Sequence, residues 1–151
     1  MMPVYRTVLA SVYVWWVLGS AVAVGDAPAI DPCTLLSQAD VEQVIGPLQG
    51  PPTSSGAARA RRCQYAFAHE QDALAVWVFP ASGLQRARKL HKDLVPVPGL
   101  GSDAFMRRDQ ALQSLELFVK KGNVTLEVTM QEAPGDEEKV QTLARKALTR
   151  L

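Results

Sequence analysis

The sequence has few of the residues that catalytic and metal sites most often require. It contains two histidines and two cysteines among 151 residues. Neither His69 nor His91 lies at metal-ligand spacing from a cysteine. No serine stands in the sequence context of a nucleophile elbow. The sequence therefore predicts no metal, no cofactor and no serine or cysteine nucleophile.

An excess of positive charge is also missing. Sixteen residues are basic and 15 are acidic, and Arg6 is the only charged residue before Asp26, so residues 26–151 carry equal numbers of both signs. A protein that binds nucleic acid gathers basic residues on one face, because phosphate contacts supply most of the affinity. Here the basic pairs are scattered between acidic residues, which excludes a nucleic-acid partner.

The first 25 residues have the pattern of a cleavable secretory signal. One positive charge precedes an apolar run over residues 8–18, and Ala23 and Gly25 belong to small-x-small sites of the kind that signal peptidase accepts. The alternative is an uncleaved anchor, since residues 8–24 are just long enough to cross a bilayer. The small and polar residues at the far end of the run favour cleavage.

We therefore predict a signal peptide at residues 1–25 and a single domain at residues 26–151, periplasmic or secreted, with no stable membrane span after cleavage. Both cysteines, Cys33 and Cys63, lie in that domain. In an oxidising compartment such a pair predicts a disulfide. Closing a loop of about 30 residues contributes roughly 3–4 kcal/mol in the chain-entropy model.

Alternation of apolar residues with periods of two and of about 3.6 predicts an α+β domain. Helices are predicted at residues 39–45, from Ser82 and from Gly135, the first two opened by capping boxes at Ser37 and Ser82. Strands are predicted at residues 62–67, 73–79, 103–107, 115–119 and 124–130. The last two form a hairpin around Lys121-Gly122. Loops are predicted at residues 46–60 and 95–101. The expected architecture is an antiparallel sheet of about five strands with about three helices packed on it and one disulfide.

The segment Gly99-Leu-Gly-Ser-Asp-Ala104 matches the dinucleotide-binding fingerprint. That fingerprint needs a strand before it and a helix after it. A proline-rich segment precedes it here and a predicted strand follows, so turn glycines with positive φ explain the pattern better.

Three aromatic residues form the candidate binding face. Trp77 and Phe79 share one side of a predicted central strand, and Phe118 lies on the polar side of the hairpin. If helices cover only one face of the sheet, these side chains line an apolar patch suited to a partner or a small ligand. If a helix covers each face, all three belong to the core. The sequence leaves both alternatives open.

The motif Asp31-Pro-Cys-Thr-Leu-Leu-Ser-Gln-Ala-Asp-Val41, followed by Cys63-Gln-Tyr65 and by residues 97–105, resembles the hallmark of a bacterial family of exported domains of unknown function. The resemblance covers nearly all of residues 26–151. It implies the compartment and the disulfide, and it transfers no catalytic residue. Many members look like lipoproteins, whereas this sequence lacks a lipidation cysteine.

The leading hypothesis is a non-enzymatic periplasmic or secreted binding or accessory protein. Its partner would be an envelope protein, a peptide or a small ligand of unknown identity. The alternative is an envelope hydrolase built from carboxylates distant in sequence. Glu116 and Glu127 lie on facing strands, but their position on the polar side of the hairpin favours a solvated role.

The disulfide leads to the first testable prediction. Protein recovered from the export compartment should show no free thiol when its intact mass is measured before and after alkylation. Two modifiable thiols in that material would refute the bridge.

Overall fold

The computed structural model describes residues 30–57, 59–68, 73–131 and 135–151. The predicted signal and its cleavage sites lie outside the described residues, as does His69. Among the helices that the structure describes, none is long and apolar enough to cross a membrane.

Within the described residues, seven antiparallel strands form one sheet in the order β1-β2-β3-β7-β6-β5-β4. They are β1 (Thr53–Ala57), β2 (Ala60–Ala66), β3 (Ala73–Pro80), β4 (Val95–Pro96), β5 (Asp103–Asp109), β6 (Ser114–Lys121) and β7 (Val124–Gln131). A short 3-10 helix at Pro32–Thr34 precedes α1 (Gln38–Val44), while α2 (Ser82–Leu90) and α3 (Asp136–Leu148) come later in the chain. The α+β class and the three α-helices on an antiparallel sheet are confirmed.

The predicted number of strands, about five, was wrong because both edge strands lie in segments predicted as loops. All five residues of β1 are exposed, so its sequence shows no apolar alternation. In β4, the neighbouring Val97 N–H donates to the Ala104 carbonyl at 3.0 Å. The next nitrogen in the register, that of Pro96, therefore points away from β5. Since proline has no N–H to donate there, it is tolerated at this edge.

One face of the sheet is buried against α1 and α3. Alternate side chains of the central strands pack there on Val41 of α1 and on Val140 and Leu143 of α3. Tyr65 is fully buried in this core, and its hydroxyl donates to the Leu36 carbonyl at 2.8 Å. Burial, with the nearby negative charges, raises the pKa of Tyr65 above its ordinary value.

The predicted disulfide is confirmed. Cys33 and Cys63 are bonded, with their Cα atoms 5.0 Å apart. Cys63 lies in the core on β2, so the bond attaches the short 3-10 helix to the sheet.

The predicted capping box begins α1. Ser37 Oγ accepts from the Asp40 N–H at 3.2 Å, and Asp40 Oδ2 accepts from the Ser37 N–H at 3.0 Å. Arg150 at 2.6 Å and Lys146 at 3.3 Å also bind this carboxylate. The hydrogen bonds from Arg150 and then Ser37 hold the pKa of Asp40 well below its usual range. One side chain thus joins the start of α1 to the end of the chain.

The predicted capping box of α2 was wrong. Ala81 is the N-cap and makes no side-chain cap bond, while Ser82 is already helical. Thr125 of β7 supplies the missing acceptor, because its Oγ1 receives the Leu84 N–H at 3.1 Å. The same hydroxyl lies 3.3 Å from the Ala81 carbonyl, to which it donates.

Two turns differ in how well the sequence predicted them. Gly99 and Gly101 have positive φ angles of 77° and 57°, as predicted, and β5 rather than a helix follows them. In the hairpin, Lys121 pairs with Val124, so the turn residues are Gly122 and Asn123 rather than Lys121 and Gly122.

Asp40→Ala should lower the free energy of unfolding at pH 7 by about 1–2 kcal/mol, because it removes the acceptor of the Ser37 N–H in the capping box and leaves Arg150 and Lys146 without this partner. The lowered pKa in the folded state means that the contribution of Asp40 is complete above its unfolded pKa and is lost as pH falls below about 4. Urea unfolding should therefore show a smaller difference between wild type and variant at pH 3 than at pH 7.

The matched control is Glu138→Ala, at an exposed position in the first turn of α3. It should change stability by less than about 0.5 kcal/mol. An equal effect of both substitutions would contradict the role assigned to Asp40.

Candidate functional site

The sheet face opposite α1 and α3 carries the residues predicted as a binding face. Side chains directly opposite each other on paired strands point to the same face of a sheet. The register therefore aligns one residue from each of β2, β3, β7, β6 and β5 in a continuous row, which we term the aromatic row: Arg62, Trp77, Glu127, Phe118 and Phe105.

Helix α2 covers the β6–β5 end of this row. Leu84 and Ala87 pack against Phe105 and Phe118, whose ring centres lie 5.2 Å apart. Phe118 is only 6% exposed. This predicted binding residue therefore lies in a small second core beneath the helix.

Trp77 lies nearer the other end of the row, and Phe79 follows it by two residues on the same face of β3; both are partly buried. Their rings stack, with centres 5.9 Å apart and planes inclined by 11°. A Cβ at Gly83 would stand 2.9 Å from the Cβ of Phe79, so α2 approaches this ring because position 83 has no side chain. The structure thus places Phe79 beside the first turn of α2 and Trp77 two residues before it on β3.

Arg62 lies over the face of Trp77. Its guanidinium carbon is 5.2 Å from the ring centre, within the range of a cation–π interaction. Its Nε is buried and has no hydrogen-bond partner among the described residues. A buried donor without an acceptor costs about 1–3 kcal/mol. Within the described ranges, the Nε of Arg62 is therefore an unsatisfied donor beside the Trp77 ring.

The carboxyl of Glu127 stands between Trp77 and Phe118 in the row. Burial raises its pKa from an ordinary 4.5 to about 7; the nearby charge of Glu116 acts in the same direction, and the hydrogen bond from the Thr129 hydroxyl at 2.9 Å opposes it. Near neutral pH this group can accept or donate a proton. Glu127 is half-buried, which differs from the solvated role expected of it.

Arg107 organises the charged residues beside the row. Its guanidinium binds Asp93 at 3.2 Å, Asp109 at 2.8 Å and Glu116 at 3.0 Å. Burial disfavours its charge, but the hydrogen bonds that it donates to Glu116 and then to Asp109 outweigh burial and raise the pKa of Arg107. Glu116 is thus bound to a cation and largely buried, which also differs from the solvated role expected of it.

Among the described residues, no group of three or more histidine, cysteine or acidic side chains could hold a metal ion. The carboxylates around Arg107 serve instead to neutralise its buried charge.

Sequence reasoning did not single out Arg62 or Phe105 as parts of this face. The alternation of residues 62–67 did indicate that Arg62 lies opposite the buried Cys63. The position of Arg62 over Trp77 follows only from the β2–β3 register.

Comparison with known proteins assigns no family. No family model matches the chain, and no curated protein matches it at a significant level. Among solved structures, a GTP binding regulator from Thermotoga maritima is similar, with 12% sequence identity and a TM-score of 0.44. The similarity covers 78% of this chain and 91% of the other. A similarity of this size identifies neither a ligand nor a function.

Glu127→Gln tests the buried carboxyl. With its pKa raised in the folded state, Glu127 contributes most favourably below its unfolded pKa, and this contribution is lost as pH rises through about 7. Glutamine does not ionise, so the variant should be more stable than wild type by about 2–3 kcal/mol at pH 8 and by less than about 1 kcal/mol at pH 5. Urea unfolding at both pH values measures the difference.

Glu138→Gln makes the same substitution at an exposed position and serves as the control; it should change stability by less than about 0.5 kcal/mol. If the free energy of unfolding had the same pH dependence in wild type and Glu127→Gln, ionisation of Glu127 would not destabilise the fold.

Proposed function

We propose that this chain is exported and that residues 26–151 form a non-enzymatic binding or accessory domain in the periplasm or outside the cell. The signal-like pattern at residues 1–25 and the resemblance to exported bacterial domains support export. The disulfide is compatible with an oxidising compartment, where such bonds persist.

The proposed ligand site is the part of the aromatic row that α2 leaves uncovered, centred on Trp77. Three adjacent strands supply one contact each. Trp77 supplies a partly exposed aromatic ring, Arg62 a buried donor that has no acceptor in the described part of the chain, and Glu127 a protonatable carboxyl. Adjacent strands are about 4.8 Å apart, so these groups fall within roughly 10 Å of one another. This juxtaposition carries the proposal, because ligand sites combine apolar surface with a few convergent polar groups.

The chemistry of the three groups indicates the kind of ligand. An aromatic or aliphatic group would lie on Trp77, with an acceptor towards Arg62 and a donor towards Glu127. A peptide meets all three requirements, since each amide carries both a donor and an acceptor. Small ligands with a ring and an amide meet them as well.

Trp77 provides a direct reporter for the test. The chain has three tryptophans, and the other two, at positions 15 and 16, belong to the proposed signal. In the cleaved protein, tryptophan fluorescence therefore reports on this site alone. A screen of peptides and small ring-containing amides against the exported protein should yield ligands that change Trp77 emission and raise the melting temperature.

Arg62→Gln should weaken binding of such a ligand on the order of tenfold, because its acceptor would lose a buried charged donor. Arg61→Gln is the matched control. Arg61 pairs with Val78 and so belongs to the other face of the sheet. Equal loss of affinity in both variants would place the site elsewhere.

If the screen finds no ligand and no partner copurifies with the exported protein, a binding function is contradicted. Conversion of a ligand to products, abolished in Glu127→Gln, would favour the alternative, an envelope hydrolase in which Glu127 and Glu116 act as paired carboxylates. The ion pair between Glu116 and Arg107 is the observation against that alternative.

A further inference from the structure

We propose that the outer surface of α2 docks this protein on an anionic phospholipid membrane. The surface consists of Arg86, Lys89, Leu90 and Lys92, and we term it the α2 basic surface. It is distinct from the proposed ligand site, which lies on the part of the sheet that α2 leaves uncovered.

The helical period brings these side chains together. Arg86, Lys89 and Leu90 occupy positions i, i+3 and i+4, which are neighbours on one side of a helix. All three are exposed, and Lys92 is exposed just after the helix ends. Leu84 and Ala87, on the opposite side, are buried against the sheet. The charged side of α2 is therefore directed outward.

Within the part of the chain that the structure describes, the cations of this surface have no side-chain partner. Among the described residues, none forms an ion pair or side-chain hydrogen bond with Arg86, Lys89 or Lys92. By contrast, the adjacent Arg88 binds Asp103 at 2.7 Å and lies 5.4 Å from the Phe105 ring centre. A helix dipole favours a cation in the last turn and so accounts for Lys89, but not for Arg86 or Lys92.

The positive charge of the α2 basic surface is a local excess. Residues 26–151 carry equal numbers of basic and acidic residues, so these cations are not part of an overall positive charge. A negatively charged surface is therefore attracted to the α2 side of the domain. Charge complementarity thus determines both the sign of the partner and the orientation in which the domain meets it.

Leu90 identifies the partner as a membrane. It is 70% exposed and lies beside the cations. On an anionic bilayer, basic side chains contact the phosphates, while an apolar side chain enters the boundary between headgroups and acyl chains. A soluble polyanion offers no apolar phase for this leucine. Three cations without a partner among the described residues, together with one exposed leucine, therefore fit a phospholipid surface.

Vesicle flotation tests the proposal with the exported protein, as the cell processes it. Binding to vesicles that contain phosphatidylglycerol should exceed binding to pure phosphatidylcholine vesicles and should weaken as salt is added. Each cation near the surface is worth about fivefold in partitioning, so Arg86→Gln combined with Lys89→Gln should lower it about 25-fold. Leu90→Ser should lower it by roughly fivefold.

The matched control is Arg59→Gln combined with Arg145→Gln, which removes the same charge from exposed positions outside α2. It should change partitioning less than about twofold. Equal binding to neutral vesicles, or equal loss in the control, would overturn the proposal. A soluble polyanion would be the partner instead, and the proposal would be overturned, if two results came together. The double variant at Arg86 and Lys89 would lose binding to soluble polyphosphate, and Leu90→Ser would bind vesicles like the wild type.

Discussion

The first turn of α2 packs on β3 and β7. This contact determines which part of the sheet face opposite α1 and α3 is covered. Thr125 receives the Leu84 N–H, and Gly83 allows the helix backbone to lie against Phe79. A helix of nine residues is only about 14 Å long, whereas seven strands extend over roughly 29 Å. α2 therefore covers Phe118 but leaves the other end of the row outside its reach. The candidate site exists because one short helix is too small for the face on which it packs.

The elements that depend on residues close together in the chain could be predicted from the amino-acid sequence. The Ser37–Asp40 capping box, the apolar alternation of β6 and β7 and the acidic start of α3 all carry their signal locally. The edge strands do not: β1 is exposed throughout, and Pro96 is permitted in β4 only because of the register with β5. The cap of α2 was misassigned for the same reason, since its acceptor lies 41 residues from Leu84.

The candidate site was predictable only in part. Large aromatic side chains on one side of a strand indicated Trp77 and Phe79 from the amino-acid sequence alone. A strand pattern tells which face a residue occupies but not which residues stand beside it. Arg62 and Glu127 became part of the site through the pairing of β2, β3 and β7. The same pairing explains why a glutamate on an ordinary polar position lies between two aromatic rings.

The bond between Cys33 and Cys63 closes a covalent ring of chain that contains α1 and β1. Because β1 is exposed along its whole length, it is a segment of this ring that a protease can reach. A single cut in β1 would leave both pieces joined through the two sulfur atoms. Nicked protein would then keep its 3-10 helix attached to β2, and the pieces would separate only in the presence of a reductant. The redox state of the surroundings therefore determines whether such a cut leaves the molecule in one piece.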